Sequence, residues 1–389
     1  MSRAHEDNEA LARPTWRRRA RRRARLLTGL SIILLFYFVA VSADFLAPYD
    51  YSAQTRREPS APPSPIHFRD EMGHWHVRPF IYARRMTDPL ARTYVEDTTR
   101  RYPLAIFTRG YTYRLFGLLP TTRHLFGVQV ETQTNAQTNA NGATTNATEA
   151  TTNAMINDAE TMPRVYLLGT DASGRDRLSR LLRATRFSLL VGPVGTLLAG
   201  LLGVLIGCVS GYAGRTTDAL LMRAADAMMA LPELVLILAA RAAFPIIMPP
   251  TKAALLLIAI FGALGWAAMA RVTRGLVLAL RQREFVLAAV GLGLSRTRIL
   301  FRHILPNALR PLIVQVSLLL PAFLLAETAL SFLGVGVQEP EASWGNMLTA
   351  AADPTLLSAQ PFVLLTPALA IFIFVLGVRL LSDGLKRER

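Results

Sequence analysis

Sulfur chemistry is all but missing from this chain: Cys208 is its single cysteine, and it lies within an apolar run. That excludes a disulfide framework and a cysteine-based metal site, leaving Cys208 as a small packing residue. Lysine is nearly as scarce, with Lys252 and Lys386 the two examples. A phosphate-cradling loop needs G-x-x-x-x-G-K-[ST], and neither lysine follows a glycine-rich turn, so the polypeptide hydrolyses no ATP itself. The H-E-x-x-H zinc helix and the G-x-S-x-G nucleophile elbow are also absent. Between Arg310 and Arg379 there is no Lys or Arg at all, although the chain carries a net charge of +16 over 389 residues.

What the chain does have is apolar length. It is 51% hydrophobic with a mean hydropathy of +0.30. Runs at 26–46, 187–209, 220–244, 253–270, 309–333 and 362–381 approach or exceed the roughly 20 residues that a helix needs to cross a bilayer core. These predict an all-α integral membrane protein with six spans. The third is interrupted by Arg223, Asp226, Glu233 and Arg241. The first is longer than the ~7–15-residue core of a signal peptide, so it reads as an uncleaved anchor despite Val41-Ser42-Ala43.

The basic residues follow topology. Arg13, Arg17 to Arg19, Arg21 to Arg23 and Arg25 precede the first span. Arg271, Arg274, Arg281, Arg283, Arg296, Arg298, Arg302 and Arg310 fill the connection before the fifth, and Arg379, Lys386, Arg387 and Arg389 close the chain. Alternate short loops are basic, which predicts a multi-pass protein of the cell inner membrane with both termini cytoplasmic. A nucleic-acid partner would instead need a basic face interleaved with aromatics, so none is expected.

The 1–25 stretch then reads as a basic tail, 47–165 as an external (periplasmic) segment and 166–389 as the main membrane unit. The external segment is rich in proline, arginine and aromatics, suited to a small β-rich or irregular domain or to the membrane surface. His74 and His76 share one side of a possible strand but lack a third metal ligand. The Thr/Asn/Ala tract near 132–154 cannot bury enough apolar area to order, and its Asn146-Ala147-Thr148 sequon is a match expected by chance. Around Gly169 and Gly174, the residues Asp171, Ser173 and Asp176 read as helix caps, since a calcium loop would need further oxygen ligands. Ala199, Gly203, Gly207 and Gly211 recur every fourth residue, which fits internal helix packing or a dimer seam.

Three ionisable residues fall within spans: Asp226, Glu233 and Glu327. Structural pairing or interfacial placement is their ordinary explanation; an ion-coupled secondary transporter is the alternative. Pro232, Pro311 and Pro321 read as tolerated kinks.

The stretch EFVLAAVGLGLSRTRILFRHILPN, from Glu284, is too short and too charged to cross a membrane. Helix formers up to Val290 give way to Gly291 and Gly293; Ser295 then caps a second half in which Arg296, Arg298 and Arg302 surround an Ile299/Leu300/Phe301 ridge, and Pro306 ends it. By its residues alone it would lie on lipid or seat in a groove of a soluble partner. It resembles the cytoplasmic loop signature of ABC-importer permeases: E-A-A, three residues, Gly, nine residues, Ile-x-Leu-Pro. Ala288, Ala289, Gly293, Leu305 and Pro306 fall in register, whereas Leu287 stands in place of Glu and His303 in place of Ile. His303 followed by Ile-Leu-Pro-Asn is similar to the dipeptide/oligopeptide C-type permeases. So are Gly169-Thr170-Asp171, Gly174-Arg175-Asp176, Ala329 to Gly334 and Ser343-Trp344-Gly345-Asn346-Met347.

The resemblance implies a type I ABC-importer permease core of five helices and a preceding first helix. It implies a second homologous permease, two cytoplasmic ABC ATPases that consume the ATP, and an external solute-binding protein, with no cofactor or metal bound by this chain. The 284–306 stretch would be the coupling loop. Ala288, Ala289, Gly293 and the Ile299/Leu300 ridge would dock the ATPase, with Arg296 and Arg298 at the rim and Glu284 a substitute for the missing Glu. Trp344 and Asn346 would sit where the binding protein docks or substrate enters. The cargo would be dipeptides or oligopeptides; nickel or another small solute is the alternative within the same architecture, and a non-transporting scaffold lies outside it.

Overall fold

Lipid offers no partner to a backbone N–H or C=O, so a long apolar run must close its hydrogen bonds within itself as a helix. The computed structural model describes residues 15–89, 92–115, 118–128, 163–212 and 214–385. The expectations for the tail before Thr15, the 132–154 tract with its sequon, and Lys386, Arg387 and Arg389 lie outside the described residues. In chain order the helices are α1 (Thr15–Val41), α2 (Ala43–Leu46), α3 (Arg177–Tyr212), α4 (Arg215–Met229), α5 (Glu233–Ala242), α6 (Pro250–Arg281), α7 (Glu284–Gly291), α8 (Arg296–Ile299), α9 (Leu305–Phe332), α10 (Trp344–Leu348), α11 (Pro354–Ala359) and α12 (Phe362–Leu385).

Five helices among the described residues are long and apolar enough to cross a membrane: α1, α3, α6, α8 running on through α9, and α12. The expected third span, 220–244, is instead split into α4 and α5, of 15 and 10 residues. Pro232 is the cause. It takes ψ 123° and has no N–H to donate, so the helix stops before it and a new one starts at Glu233. Pro311 and Pro321, by contrast, stay inside α9.

Two units are distinguished, one helical (residues 1–38, 184–349 and 365–389) and one β-rich (39–183 and 350–364). In the helical unit, the small-residue stripe of α3 is used internally, against α6. A Cβ at Gly203 would fall 2.5 Å from Met269 Cβ, and one at Gly207 would fall 2.5 Å from Ala270 O. Glycine at these two positions is what lets the helices approach. Two arginines of α6 meet carboxylates of α4: Arg274 binds Asp218 through Nε and Nη2 at 2.5 and 2.6 Å, and Arg271 pairs with Asp226.

The all-α expectation does not extend to the segment after the first span, which folds as strands. β1 (His67–Arg69), β2 (Trp75–Asp88), β3 (Thr93–Ile106) and β6 (Phe126–Val128) form one antiparallel sheet in the order β1-β2-β3-β6, and β4 (Arg109–Leu115) pairs with β5 (Leu119–Arg123). Its core gathers Ala61, Phe80, Ile81, Tyr82, Val165 and Tyr166. The Arg84 guanidinium meets Glu58 at 3.5 Å and lies over the Tyr94 and Tyr166 rings. Residues 350–364 join this unit through Gln360 Nε2, which donates to Ser60 O at 2.9 Å, and an Arg92–Asp353 pair at 3.4 Å.

The 169–176 turn is a capped one. Asp171 Oδ1 accepts the Ser173 and Arg175 backbone N–H groups, and Asp176 Oδ2 accepts from the Ser179 N–H and hydroxyl at 2.8 and 2.6 Å. Asp176 is buried and its Oδ1 has no partner. Burial pushes the Asp176 carboxyl up from 3.8 to about 6, against the opposing pull of the Ser179 hydrogen bonds. The folded pKa therefore lies above the unfolded one, and the neutral acid is the form that folding favours. That contribution is complete below about pH 4 and lost as pH rises through about 6. Asp176→Asn, which cannot ionise, should flatten this component. The thermal midpoint of the wild type in detergent should fall relative to that of the variant between about pH 4 and 6. Parallel pH profiles would contradict the assignment.

Candidate functional site

The loop between α6 and α9 is built from two short helices and a glycine joint. α7 presents Val286 and Ala289, three residues apart, to the interior. There they join Val277 of α6, Cys208 of α3, and Ile299, Leu300 and Ile304 in one buried cluster. The rest of α7 is open: Phe285 and Val290 are exposed on either flank of the buried pair, Leu287 is exposed farther round, and Leu292 just beyond is 81% exposed.

Gly293 ends α7 with φ +74°, a left-handed conformation that a side chain disfavours. The N–H of Leu294 reaches Ala289 O at 3.2 Å and that of Gly293 reaches Val290 O at 2.9 Å, the pairing of a Schellman cap. Ser295 then caps α8, its side chain accepting from Arg298 N. Residues 300–304 form a π turn, and α9 continues from Leu305. Pro306 does not end the element as expected. It lies just after the π turn, and the helical stretch 296–332 runs on through it.

The placement revises the expected docking surface. Ala289, Ile299 and Leu300 are buried, so they hold the loop to the helical unit and do not face a partner. Glu284, Ala288, Gly291, Gly293, Ser295, Arg296 and Arg298 are exposed; His303 and Leu305 are half-buried and Pro306 is exposed. The residues that sequence reasoning passed over are Phe285, Val290 and Leu292. Their apolar character was visible in the sequence, but 285 and 290 stand beside 289 and 286 around the helix, so spacing alone did not show that they are open.

The second expected site is also interior. Trp344 is fully buried; its Nε1 donates to Thr185 Oγ1 at 3.1 Å, and its ring meets Phe36 of α1 and Phe374 of α12 with centroids 5.9 and 6.1 Å apart. Ser343 and Asn346 close a capping box around α10, and Asn346 Nδ2 also donates to Glu341 O. A Cβ on Gly345 would collide with Thr328 of α9. Ser343, Trp344 and Gly345 are buried and build the fold, while Asn346 is half-buried.

The intramembrane carboxylates are accounted for in different ways. Glu327 is fully buried and accepts from the hydroxyls of Ser188 on α3 (3.1 Å) and Ser331 on α9 (2.9 Å). The Ser188 oxygen in turn accepts from Trp344 N at 3.3 Å. Asp226 pairs with Arg271, and Glu233 stands exposed in the first turn of α5. Outside the membrane, His76 Nε2 is met by Asp70 at 3.0 Å and by the Arg101 guanidinium, a cation where a metal would have to sit. No group of three or more His, Cys, Asp or Glu is placed to hold a metal among the described residues.

Trp344→Ala should lower stability by about 3–5 kcal/mol, the usual cost of emptying a buried aromatic site. In detergent this is read as a large fall in thermal midpoint, while Trp344→Phe should fall less. An unchanged midpoint for the alanine variant would contradict the anchor role.

Residues 203–387 match the family described as binding-protein-dependent transport system inner membrane component. Residues 13–63 match the N-terminal TM domain of oligopeptide transport permease C. The oligopeptide transport system permease protein OppC of Haemophilus influenzae is 38% identical over 60% of this chain and 72% of its own length. OppC of Bacillus subtilis is 36% identical over 60% and 73%, and the dipeptide transport system permease protein DppC of Alkalihalophilus pseudofirmus 38% over 57% and 70%. A solved structure of the MetNI methionine ABC transporter in inward-facing conformations matches at a TM-score of 0.39 and 14% identity, over 53% of this chain and 94% of that one, too slight a likeness to carry an argument. With membrane-crossing helices, the glycine-jointed loop in register, and relatives matched over more than two thirds of their length, the chain belongs to the binding-protein-dependent permease family of ABC importers.

Proposed function

We propose that this permease carries dipeptides or oligopeptides across the inner membrane, and that α7 is the helix through which separate ATPases drive it. The observation that carries this reading is the division of α7 into a buried strip, Val286 and Ala289, and an open surface on which Phe285, Leu287 and Val290 are exposed. An isolated helix would rest on any apolar surface. Here Val286 and Ala289 lock it to α6 and to the residues leading into α9, so a push on α7 is delivered to α9 as a rigid displacement. The exposed Phe285, Leu287, Val290 and Leu292 are the anchors for an apolar groove on the partner, with small Ala288 and Gly291 between them. ATP is used by the partner ATPases, and no cofactor is assigned to this chain.

The cargo rests on the relatives, which are named as oligopeptide and dipeptide transport permeases. The orientation, with both termini and α7 cytoplasmic, rests on the alternation of basic and non-basic loops. Pairing with a second, related permease, two ATPases and an external solute-binding protein follows the family's mode of working.

Leu292→Glu should leave insertion and thermal midpoint unchanged, since the side chain is exposed. In liposomes holding the assembled transporter and its binding protein, the variant should lose labelled-peptide uptake at least about tenfold, the consequence of placing a carboxylate in an apolar groove. Undiminished uptake would overturn the docking assignment. Gly293→Ala tests the joint: it should cost about 1–2 kcal/mol through its left-handed backbone. Gly291→Ala, in helical backbone with open space around it, should be neutral or slightly stabilising. Equal effects of the two on thermal midpoint would contradict the cap.

A further inference from the structure

At the end of the helical unit where α1 begins and α12 finishes, a cleft of about 450 Å³ is lined by Arg22, Arg310, Ile313 and Leu385. Arg22 is placed firmly: its Nε donates to Gly384 O at 2.8 Å, and its two terminal nitrogens have no acceptor among the described residues. The stem beneath it is equally fixed, because α1 and α12 touch backbone to backbone. A Cβ on Gly384 would fall 2.7 Å from Leu26 Cβ, and one on Gly377 would fall 2.7 Å from Ile32 Cγ2. Arg310, near the start of α9, is exposed and has no hydrogen-bond or ion-pair partner among the described residues.

Among the described residues the lining thus holds two guanidinium groups, no carboxylate and two aliphatic side chains. We propose that this cleft binds an anionic phospholipid, with the headgroup phosphate between Arg22 and Arg310 and the upper acyl carbons against Ile313 and Leu385. A phosphate offers guanidinium forks the acceptors they lack, and basic pockets between membrane helices are suited to anionic headgroups. The apolar half selects a lipid over a free anion, which would gain nothing from Ile313 or Leu385. Depth agrees as well, since Arg22 lies four residues before the apolar run that starts at Leu26. The site does not depend on which face of the membrane is cytoplasmic, nor on the identity of the cargo.

The test is native mass spectrometry of the purified full chain with phosphatidylglycerol and phosphatidylcholine supplied in equal amounts. The wild type should retain phosphatidylglycerol over phosphatidylcholine by about tenfold or more. Arg22→Ala/Arg310→Ala should lose that preference, and Arg310→Ala alone, which leaves the Arg22–Gly384 bond intact, should weaken it at an unchanged thermal midpoint. Arg19→Ala/Arg23→Ala, which removes the same charge from α1 outside the cleft, should keep it. No preference in the wild type would overturn the proposal. So would an equal loss in the Arg19/Arg23 control, which would mean general surface charge. Complete displacement of the lipid by millimolar inorganic phosphate would also overturn it, revealing a site for a free anion.

Discussion

If α7 couples to an ATPase as proposed, the packing of Val286 and Ala289 against Val277, Cys208, Ile299, Leu300 and Ile304 is the contact on which that coupling depends. A buried aliphatic side chain contributes about 1.5–3 kcal/mol relative to exposure, so this cluster makes α7 part of the helical unit. Without it, the helix between α6 and α9 would be a tethered surface segment, and movement of its outer face would be absorbed by the loop. With it, the same movement must displace the base of α9, because residues 296–332 run as one helical stretch. The Gly293 cap serves the same end by fixing how α7 meets α8.

The polar groups of the helical unit obey a related constraint. A charge or hydroxyl away from water must find a partner within the protein. Asp218 and Asp226 find arginines on α6, and Glu327 finds two serine hydroxyls. Through Ser188, Glu327 is tied to Trp344, whose ring fills the space between α1 and α12. Residues that resemble an external recognition loop by motif are thus a structural knot. The ion-coupled reading of the intramembrane carboxylates gains no observation from this arrangement.

The existence of five apolar helices and the loop signature were legible in the sequence because both are local, whereas the helix ends were not: α6 runs on to Arg281, beyond the expected 270. An apolar run of about 20 residues is a helix in lipid whatever surrounds it, and a glycine at a left-handed cap is demanded by its own backbone. The break at Pro232 was legible in kind but not in degree: a proline may kink or end a helix, and the neighbouring packing decides which. The strands after the first span were open to more than one reading. Their mixture of arginine, proline and aromatics fits a membrane surface as well as a sheet, and the Phe80–Pro103 and Tyr82–Arg101 pairings across β2 and β3 are long-range facts.

By itself, the sequence determined that this is a membrane protein of long apolar helices, and that the loop from Glu284 carries a permease signature; hydropathy and spacing are properties of the chain read in one dimension. Tertiary structure alone decided which side of each helix is open. It turned Ile299 and Leu300 inward and Leu292 outward, spent the α3 glycines on α6, and sealed Trp344 in the interior. The physical reason is that exposure depends on what packs against a residue from distant parts of the chain, and residue type and local spacing constrain that only weakly.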